Sequence, residues 1–368
     1  MANKKKNVFL TGITGFLGSF LAKELIQSGY RVFGLARPKG GKSAKQRAFD
    51  AVRFAYYDDE WDEKRVLSNF KIFEGDIVHE DLGLSDEARD FLRGEIDIII
   101  HSAALAELRS PWETIKRINV DGTKNVLDFA VECQEKGRLK KFNHISTMYV
   151  CGDYQGEFDE TMLDVGQKFN NTYERSKFEA EVLVHKYMDK DLNCSIFRPS
   201  LIVGDSKTGK TNNFQNIYKV LFLFSQNRFV KYPINPNSTQ NLINIDTVVH
   251  SISLLASKSE KEVYHLISLQ ETKWDFFVQT SSASLGFKLP ECIPVEVFAF
   301  DKLTPAQKLL IKPLLPYFNC KAKFTSILTR KILKEYDFRL PEIDATNINR
   351  ILSYYAESNF INKMISSD

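Results

Sequence analysis

The 368-residue sequence is short of the features that mark several protein classes. Its five cysteines (Cys133, Cys151, Cys194, Cys292 and Cys320) are odd in number, scattered and free of any C-x-x-C pair. That pattern excludes a disulfide framework and a cysteine zinc site, and it suits a reducing compartment. Histidine is scarce, with six residues, and no group of His, Asp and Glu has metal-ligand spacing. No stretch approaches the roughly 20 consecutive apolar residues of a membrane-spanning helix. The start passes from Lys6 directly into a strand-like run, without the apolar core of a cleavable leader. The expectation is a cytoplasmic protein. A net charge of +3 gives no overall case for nucleic-acid binding.

Charge is present locally. Residues 1–50 hold Lys4, Lys5, Lys6, Lys23, Arg31, Arg37, Lys39, Lys42, Lys45 and Arg47 against Glu24 and Asp50. Such a segment suits a phosphate-rich ligand, although a lysine run such as Lys4–Lys6 reads equally as a solvated face.

The first 200 residues alternate short β-branched runs with longer helical stretches, the rhythm of βαβ units. Strands are expected at Asn7–Thr11, Arg31–Ala36, Lys71–Gly75, Ile96–His101, Phe142–Ile145 and Cys194–Arg198, with helices such as Phe16–Ser28 and Thr123–Glu135 between them. Near-continuous Val, Ile, Leu and Phe implies strands covered on both faces, hence a doubly wound parallel sheet. After Pro199 the rhythm loosens, and the last 65 residues read as mostly helical. The division expected is a cofactor domain over 1–200 and a substrate-binding part over 201–368. Segments at about 240–270 return to the first domain, since Asn241–Val249 reads as a buried strand and turn.

Thr11-Gly12-Ile13-Thr14-Gly15-Phe16-Leu17-Gly18 joins the first strand to a helix. Gly12 permits the tight turn, Gly15 admits a pyrophosphate to the backbone, and Gly18 lets the helix approach the strand. Free N–H groups at the helix start then face the phosphates. The order and context point to a dinucleotide. At the end of the second strand an acid would bind the 2′-hydroxyl of NAD, whereas the sequence places Arg37 there, with Lys39 and Lys42 behind it. NADP(H) is therefore expected. Asp76 follows the third strand, where it can bond the adenine amino group or serve only as a strand-end turn.

Tyr173 and Lys177 stand four apart in a helical stretch and so share a face. An ammonium one turn away stabilises phenolate and moves the tyrosine toward the working pH range. Upstream, Ser146 and Thr147 close a strand, where either hydroxyl can bond a substrate carbonyl. Alternate strand residues point opposite ways, so the two compete for that role. His101 and His144, at strand ends, read as packed residues. Cys151 lacks a base for covalent capture of an acyl group. Tyr218–Phe229, flanked by Lys219, Arg228 and Lys231, reads as a buried helix, with an acyl channel or a peripheral membrane surface as alternatives.

Taken in order, the Thr11–Gly18 loop, Arg37, Asp76, His101-Ser102-Ala103-Ala104, Asn119–Thr123, Ser146-Thr147, Tyr173–Lys177 and Arg198-Pro199-Ser200 resemble the extended short-chain dehydrogenase/reductase superfamily. The resemblance spans roughly residues 7–270 and implies a Rossmann-type α/β fold with a smaller, mainly helical C-terminal part. It implies that Thr147, counted back from Gly152, is the catalytic hydroxyl. Tyr173 is then the proton donor, Lys177 binds the nicotinamide ribose, and Asn119 supports the site. Thr11, Gly12, Thr14, Gly15, Phe16, Leu17 and Gly18, with Arg37, Asp76 and Ile77, would hold the cofactor. Ser102, Ala103 and Ala104 would border its nicotinamide half, and Arg198, Pro199 and Ser200 would complete the set.

Three segments look like the thioester-reductase and fatty-acyl-CoA-reductase branch: Gly75-Asp76-Ile77 with Asp81–Ser85, Ser146-Thr147 with Tyr149, and Arg198–Gly209. Leu315–Phe318 and Lys331–Phe338 resemble the tail of such reductases more loosely. The branch implies NADPH-dependent reduction of an acyl thioester to an aldehyde, with the alcohol as a further product. No carrier or adenylation region is evident, so the thioester would arrive on CoA or on a separate acyl carrier protein. Other extended-family activities remain as alternatives: a nucleotide-sugar epimerase or dehydratase, a ketone reductase, or an NADP(H) sensor without chemistry. Monomer and homodimer stay equally open.

Overall fold

The computed structural model describes residues 5–57, 60–225, 230–235 and 237–358. Lys4, Arg228 and Phe229 from the sequence reading lie outside these residues. The frame is a seven-stranded sheet built from β1 (Asn7–Thr11), β2 (Arg31–Ala36), β3 (Phe70–Glu74), β4 (Ile98–His101), β5 (Lys141–Ile145), β6 (Cys194–Pro199) and β7 (Val263–Leu266). The spatial order is β7-β6-β5-β4-β1-β2-β3, and every neighbouring pair is parallel. The chain runs outward from β1 to β3 and then crosses back to β4. The crevice between the C-terminal ends of β1 and β4 is therefore the switch point where open α/β sheets bind ligands.

Strand pleat explains the two core layers. Successive side chains point to opposite faces, so Val8, Leu10, Ile98 and Ile100 pack on one side of the sheet. They meet Phe20, Leu21 and Leu25 of α1 (Phe16–Gln27). Phe9, Ile99 and Phe142 pack on the other face, against Val126, Leu127 and Phe129 of α2 (Gly122–Glu135). Burial on both faces accounts for the near-continuous apolar strands.

Beyond β6 the chain divides its loyalties. Asn241–Val249, expected as a strand and turn, is a short strand Leu242–Asn244 running straight into helix α4 (Ile245–Leu255), which lies on the α1 side of the sheet. α3 (Thr172–Met188) precedes β6 and carries the tyrosine and lysine. A separate core gathers Ile217, Tyr218, Leu221 and Phe224 with Trp274, Phe318, Ile351 and Tyr355. The tail then turns back: Ala322–Phe324 forms a separate two-stranded parallel sheet with Gly156–Phe158, and Leu333 packs into the α1 side of the main core. Among the described residues no helix is long and apolar enough to cross a membrane.

Candidate active site

The loop from β1 to α1 is held open by close backbone contact. Gly12 has φ +75°, and a Cβ placed on it would sit 2.7 Å from the Ala103 nitrogen. A Cβ on Gly18 would meet the Gly12 carbonyl oxygen at 2.2 Å. No side chain caps the start of α1, and no acid lies in its first turn. The N-terminal N–H groups thus face the crevice as unneutralised donors, the arrangement that receives a phosphate. These residues fit a dinucleotide.

Thr11 ties the loop to β4. Its Oγ1 accepts from the N–H groups of Ser102 and Ala103, each at 3.2 Å, and lies 2.8 Å from Nδ1 of His101. With two N–H donors already on the oxygen, the hydroxyl proton goes to Nδ1. That places the imidazole proton on Nε2, 3.0 Å from Thr123 Oγ1, which in turn donates to the Asn119 carbonyl at 2.6 Å. Burial, and then the charge of Lys177, pushes His101 down to about 3, so it stays neutral. His101 is therefore a structural connector between the glycine loop and the segment bearing Asn119.

The crevice is lined by Thr11, Gly12, Thr14 and Gly15, by Arg37, Asp76 and Ile77, and by Ala103 and Ala104. Leu35, Leu105 and Ile118 also line it, and local sequence gave no sign of them. Arg37 Nη1 donates to Asp76 Oδ2 at 2.8 Å, bridging the mouth. Arg47, which the sequence singled out only as part of a basic segment, reaches over the same mouth. Its guanidinium donates to the Arg37 carbonyl and approaches Thr14 Oγ1 at 3.5 Å. Phe16 and Leu17 pack partly against the core, and Gly18 is buried at the loop-helix contact.

At the end of β5, Ser146 and Thr147 part company as the pleat demands. Ser146 Oγ donates to Glu181 Oε2 at 2.5 Å inside the core. Thr147 starts the turn Met148–Cys151, accepting from Tyr149 N at 3.3 Å, and its hydroxyl interacts with the phenol of Tyr173 and pulls its pKa down against burial. Asn171 caps α3 by accepting from Glu174 N at 3.0 Å, which sets Tyr173 in the first turn. Asn119, on a π-helical turn over Arg117–Asp121, bonds Leu105 through both its amide atoms and donates to Ser176 Oγ at 2.9 Å. It thereby clamps the loop after β4 to α3.

Lys177 departs from the expected pairing. Its Nζ donates to the Ile145 carbonyl at 2.7 Å and contacts His144 Nε2 at 3.3 Å. Burial lowers it to about 8, with Glu181 opposing. Burial raises Tyr173 to about 12, against the pull of Thr147. Near neutral pH the pair is thus a phenol donor and a lysine ammonium.

Arg198, Pro199 and Ser200 do not line the crevice. Arg198 is fully buried; its Nε donates to Glu181 Oε1 at 2.9 Å and its Nη1 lies 3.0 Å from His265 Nε2. A guanidinium in the interior needs such partners, and they hold α3 to β6 and β7. Pro199 ends β6, and the backbone of Ser200 bonds Leu266. Cys151 is buried and its thiol pushed up by burial and then by Cys320, so it offers no thiolate.

Two further cavities meet near the phenol. An apolar one is lined by Leu108, Leu201, Ile217, Val220, Trp274 and Phe318 together with Tyr149, Tyr173 and Tyr317. A wider one of about 540 Å³ shares Leu108, Asn216 and Leu314 with it and carries Arg109, Lys219 and Glu107. The segment after β4 passes from the crevice at Ala103–Leu105 to the apolar cavity at Leu108.

Comparison with known proteins agrees with this geometry. Residues 10–252 match the family described as male sterility protein. L-2-aminoadipate reductase of Saccharomyces cerevisiae is 29% identical over 276 residues, 70% of this chain and 19% of that protein. The terminal R domain from the myxalamid PKS-NRPS biosynthetic pathway superposes with a TM-score of 0.82 at 25% identity, covering 98% of this chain and 93% of that one. A thiolation-reductase di-domain from an archaeal non-ribosomal peptide synthetase gives 0.80 at 25% identity, covering 97% and 76%. The chain spans a fifth or less of the length of the first curated relatives it matches. With its parallel sheet, glycine loop and match over two thirds of its length, the chain belongs to the male sterility family of thioester-reductase-like, NAD-binding proteins within the extended short-chain dehydrogenase/reductases.

Proposed function

We propose that the chain is an NADPH-dependent reductase that converts an acyl thioester, carried on a pantetheine arm, to the aldehyde. The observation that carries this reading is the pairing of the Thr147 and Tyr173 hydroxyls, with Tyr173 on the wall of an apolar cavity whose Leu108 belongs to the same segment, 103–108, that borders the dinucleotide crevice. Bound in that crevice, the cofactor supplies the hydride that adds to the thioester carbonyl carbon. Thr147 and Tyr173 donate to the carbonyl oxygen and hold the negative charge that develops there, which is the largest single contribution a site of this kind makes. As the carbon–sulfur bond breaks, the thiolate leaves and takes a proton from water. A second round on the aldehyde gives the alcohol, with Tyr173 giving its proton to the oxygen.

Arg37 and Arg47 favour NADPH, because two guanidiniums at the mouth meet the 2′-phosphate. The wide cavity gives the arm a way in, and Arg109 and Lys219 stand there to meet its phosphate. A carrier protein or CoA delivers the same group, and relatives whose names include a thiolation-reductase di-domain favour the carrier.

The test is NADPH consumption with aldehyde trapping across acyl-CoA and acyl-pantetheine thioesters. Turnover that falls by about 100-fold or more in Tyr173→Phe supports the reading. Silence on every thioester, with turnover of a nucleotide sugar, overturns it.

A further inference from the structure

We infer that the acyl group this site accepts is uncharged and apolar, and that an acyl chain ending in a carboxylate is rejected. The inference rests on the thioester reading above and assigns its substrate class. It comes from what the cavity beside Tyr173 presents. Leu108, Leu201, Ile217, Val220, Leu314 and Phe318 give it hydrocarbon walls, and among the described residues no lysine, arginine, histidine, aspartate or glutamate lines it.

The polar groups on its wall are all uncharged: Asn216, Gln240, the Trp274 indole N–H and the tyrosine hydroxyls, of which Tyr149 and Tyr317 are committed to neighbours. Tyr149 Oη accepts from Gln240 Nε2 at 2.6 Å. Tyr317 Oη donates to Glu174 Oε1 at 2.6 Å and accepts from Asn171 Nδ2 at 2.7 Å. The two tyrosine rings meet edge to face at 4.9 Å, so their ring surfaces serve as wall. Behind Tyr317 lies the buried carboxylate of Glu174, a charge that repels a second carboxylate. The cations Arg109 and Lys219 belong to the neighbouring wide cavity. A carboxylate entering the apolar cavity loses its water and meets only neutral donors such as the Trp274 indole N–H, with no cation to balance its charge, which is far costlier than burying a methyl group.

Hexanoyl and adipoyl pantetheine thioesters isolate this difference, since they have the same chain length and differ at the far end. The expected result is a kcat/KM for the adipoyl thioester lower by about 100-fold or more. Leu108→Arg, placed on the cavity wall, should narrow that gap by about 10-fold or more while NADPH affinity stays unchanged as a check on folding. Adipoyl turnover within about 3-fold of hexanoyl, a difference of under 1 kcal/mol, overturns the inference and leaves the thioester reading standing. Turnover of neither thioester, nor of any other, removes both.

Discussion

Lys177 Nζ lies 2.7 Å from the carbonyl oxygen of Ile145, and so this lysine is anchored to the end of β5. The tyrosine's polar partner is Thr147 instead. This division of labour suits thioester reduction. The site needs donors to a developing oxyanion, and a neutral phenol is a donor as it stands. A phenolate base is not required.

The pH dependence follows from that pairing. Lys177 titrates at about 8 and Tyr173 at about 12. The active form, ammonium plus phenol, is present below about 8 and is lost as pH rises through it. In the absence of substrate effects, kcat/KM should fall on the alkaline side with that midpoint. Lys177→Arg, whose guanidinium keeps its proton, should flatten the fall even if it lowers the plateau. An unchanged alkaline limb in the variant would assign the fall to another group.

Removing the phenol tests the oxyanion role. Tyr173→Phe should lower kcat by about 100- to 1,000-fold, the usual cost of one such donor. NADPH affinity, read by fluorescence titration, should move little. Thr147→Val should act in the same direction, and the double variant should lose less than the product of the two because they serve one oxygen.

Cofactor choice is expected to depend on two arginines. Arg37→Ala and Arg47→Ala should each weaken NADPH binding by about 10- to 100-fold, the range for a charge-assisted contact to a phosphate. NADH binding should be nearly unaffected. Equal losses for both cofactors would place these side chains in loop structure only.

The Ser146–Glu181–Arg198–His265 network is expected to govern stability. Burial pushes Glu181 up, yet the adjoining Arg198 and its hydrogen bonds reverse this to about 2, from an ordinary 4.5. A carboxylate depressed in the folded state contributes stability that is present above about 4.5 and is lost as pH falls toward about 2. Glu181→Gln should cost about 3–5 kcal/mol in urea unfolding, because it leaves the buried Arg198 uncompensated. It should also remove most of the acid dependence.

Much of this arrangement was legible in the chain itself. Strands β1, β2 and β4, which end at the crevice, are mostly apolar runs, and the glycine loop is recognisable because each glycine answers a separate steric demand. Other parts depend on partners far away in sequence. β7 is four residues, Val-Tyr-His-Leu, with no alternation to announce it, and it forms because β6 offers a free edge. Arg198 looked like a cofactor residue by its place in an ordered motif, whereas Glu181 and His265 decide where its guanidinium goes. Arg47 was recoverable. Ser43 and Gln46 form a capping box that fixes the start of helix Ala44–Ala55 and so puts Arg47 in its first turn, facing the loop. The choice between Ser146 and Thr147 needed the pleat of β5 and the position of Glu181 on α3.

The most direct measurement is steady-state NADPH oxidation by the purified chain with hexanoyl-pantetheine thioester, with free thiol and hexanal quantified together. The expected result is one thiol and one aldehyde for each NADPH, or one thiol and one alcohol for every two, with turnover in Tyr173→Phe lower by about 100- to 1,000-fold. Cofactor oxidation without thiol release, or thiol release undiminished by loss of the phenol, would contradict a reductase that works through Thr147 and Tyr173.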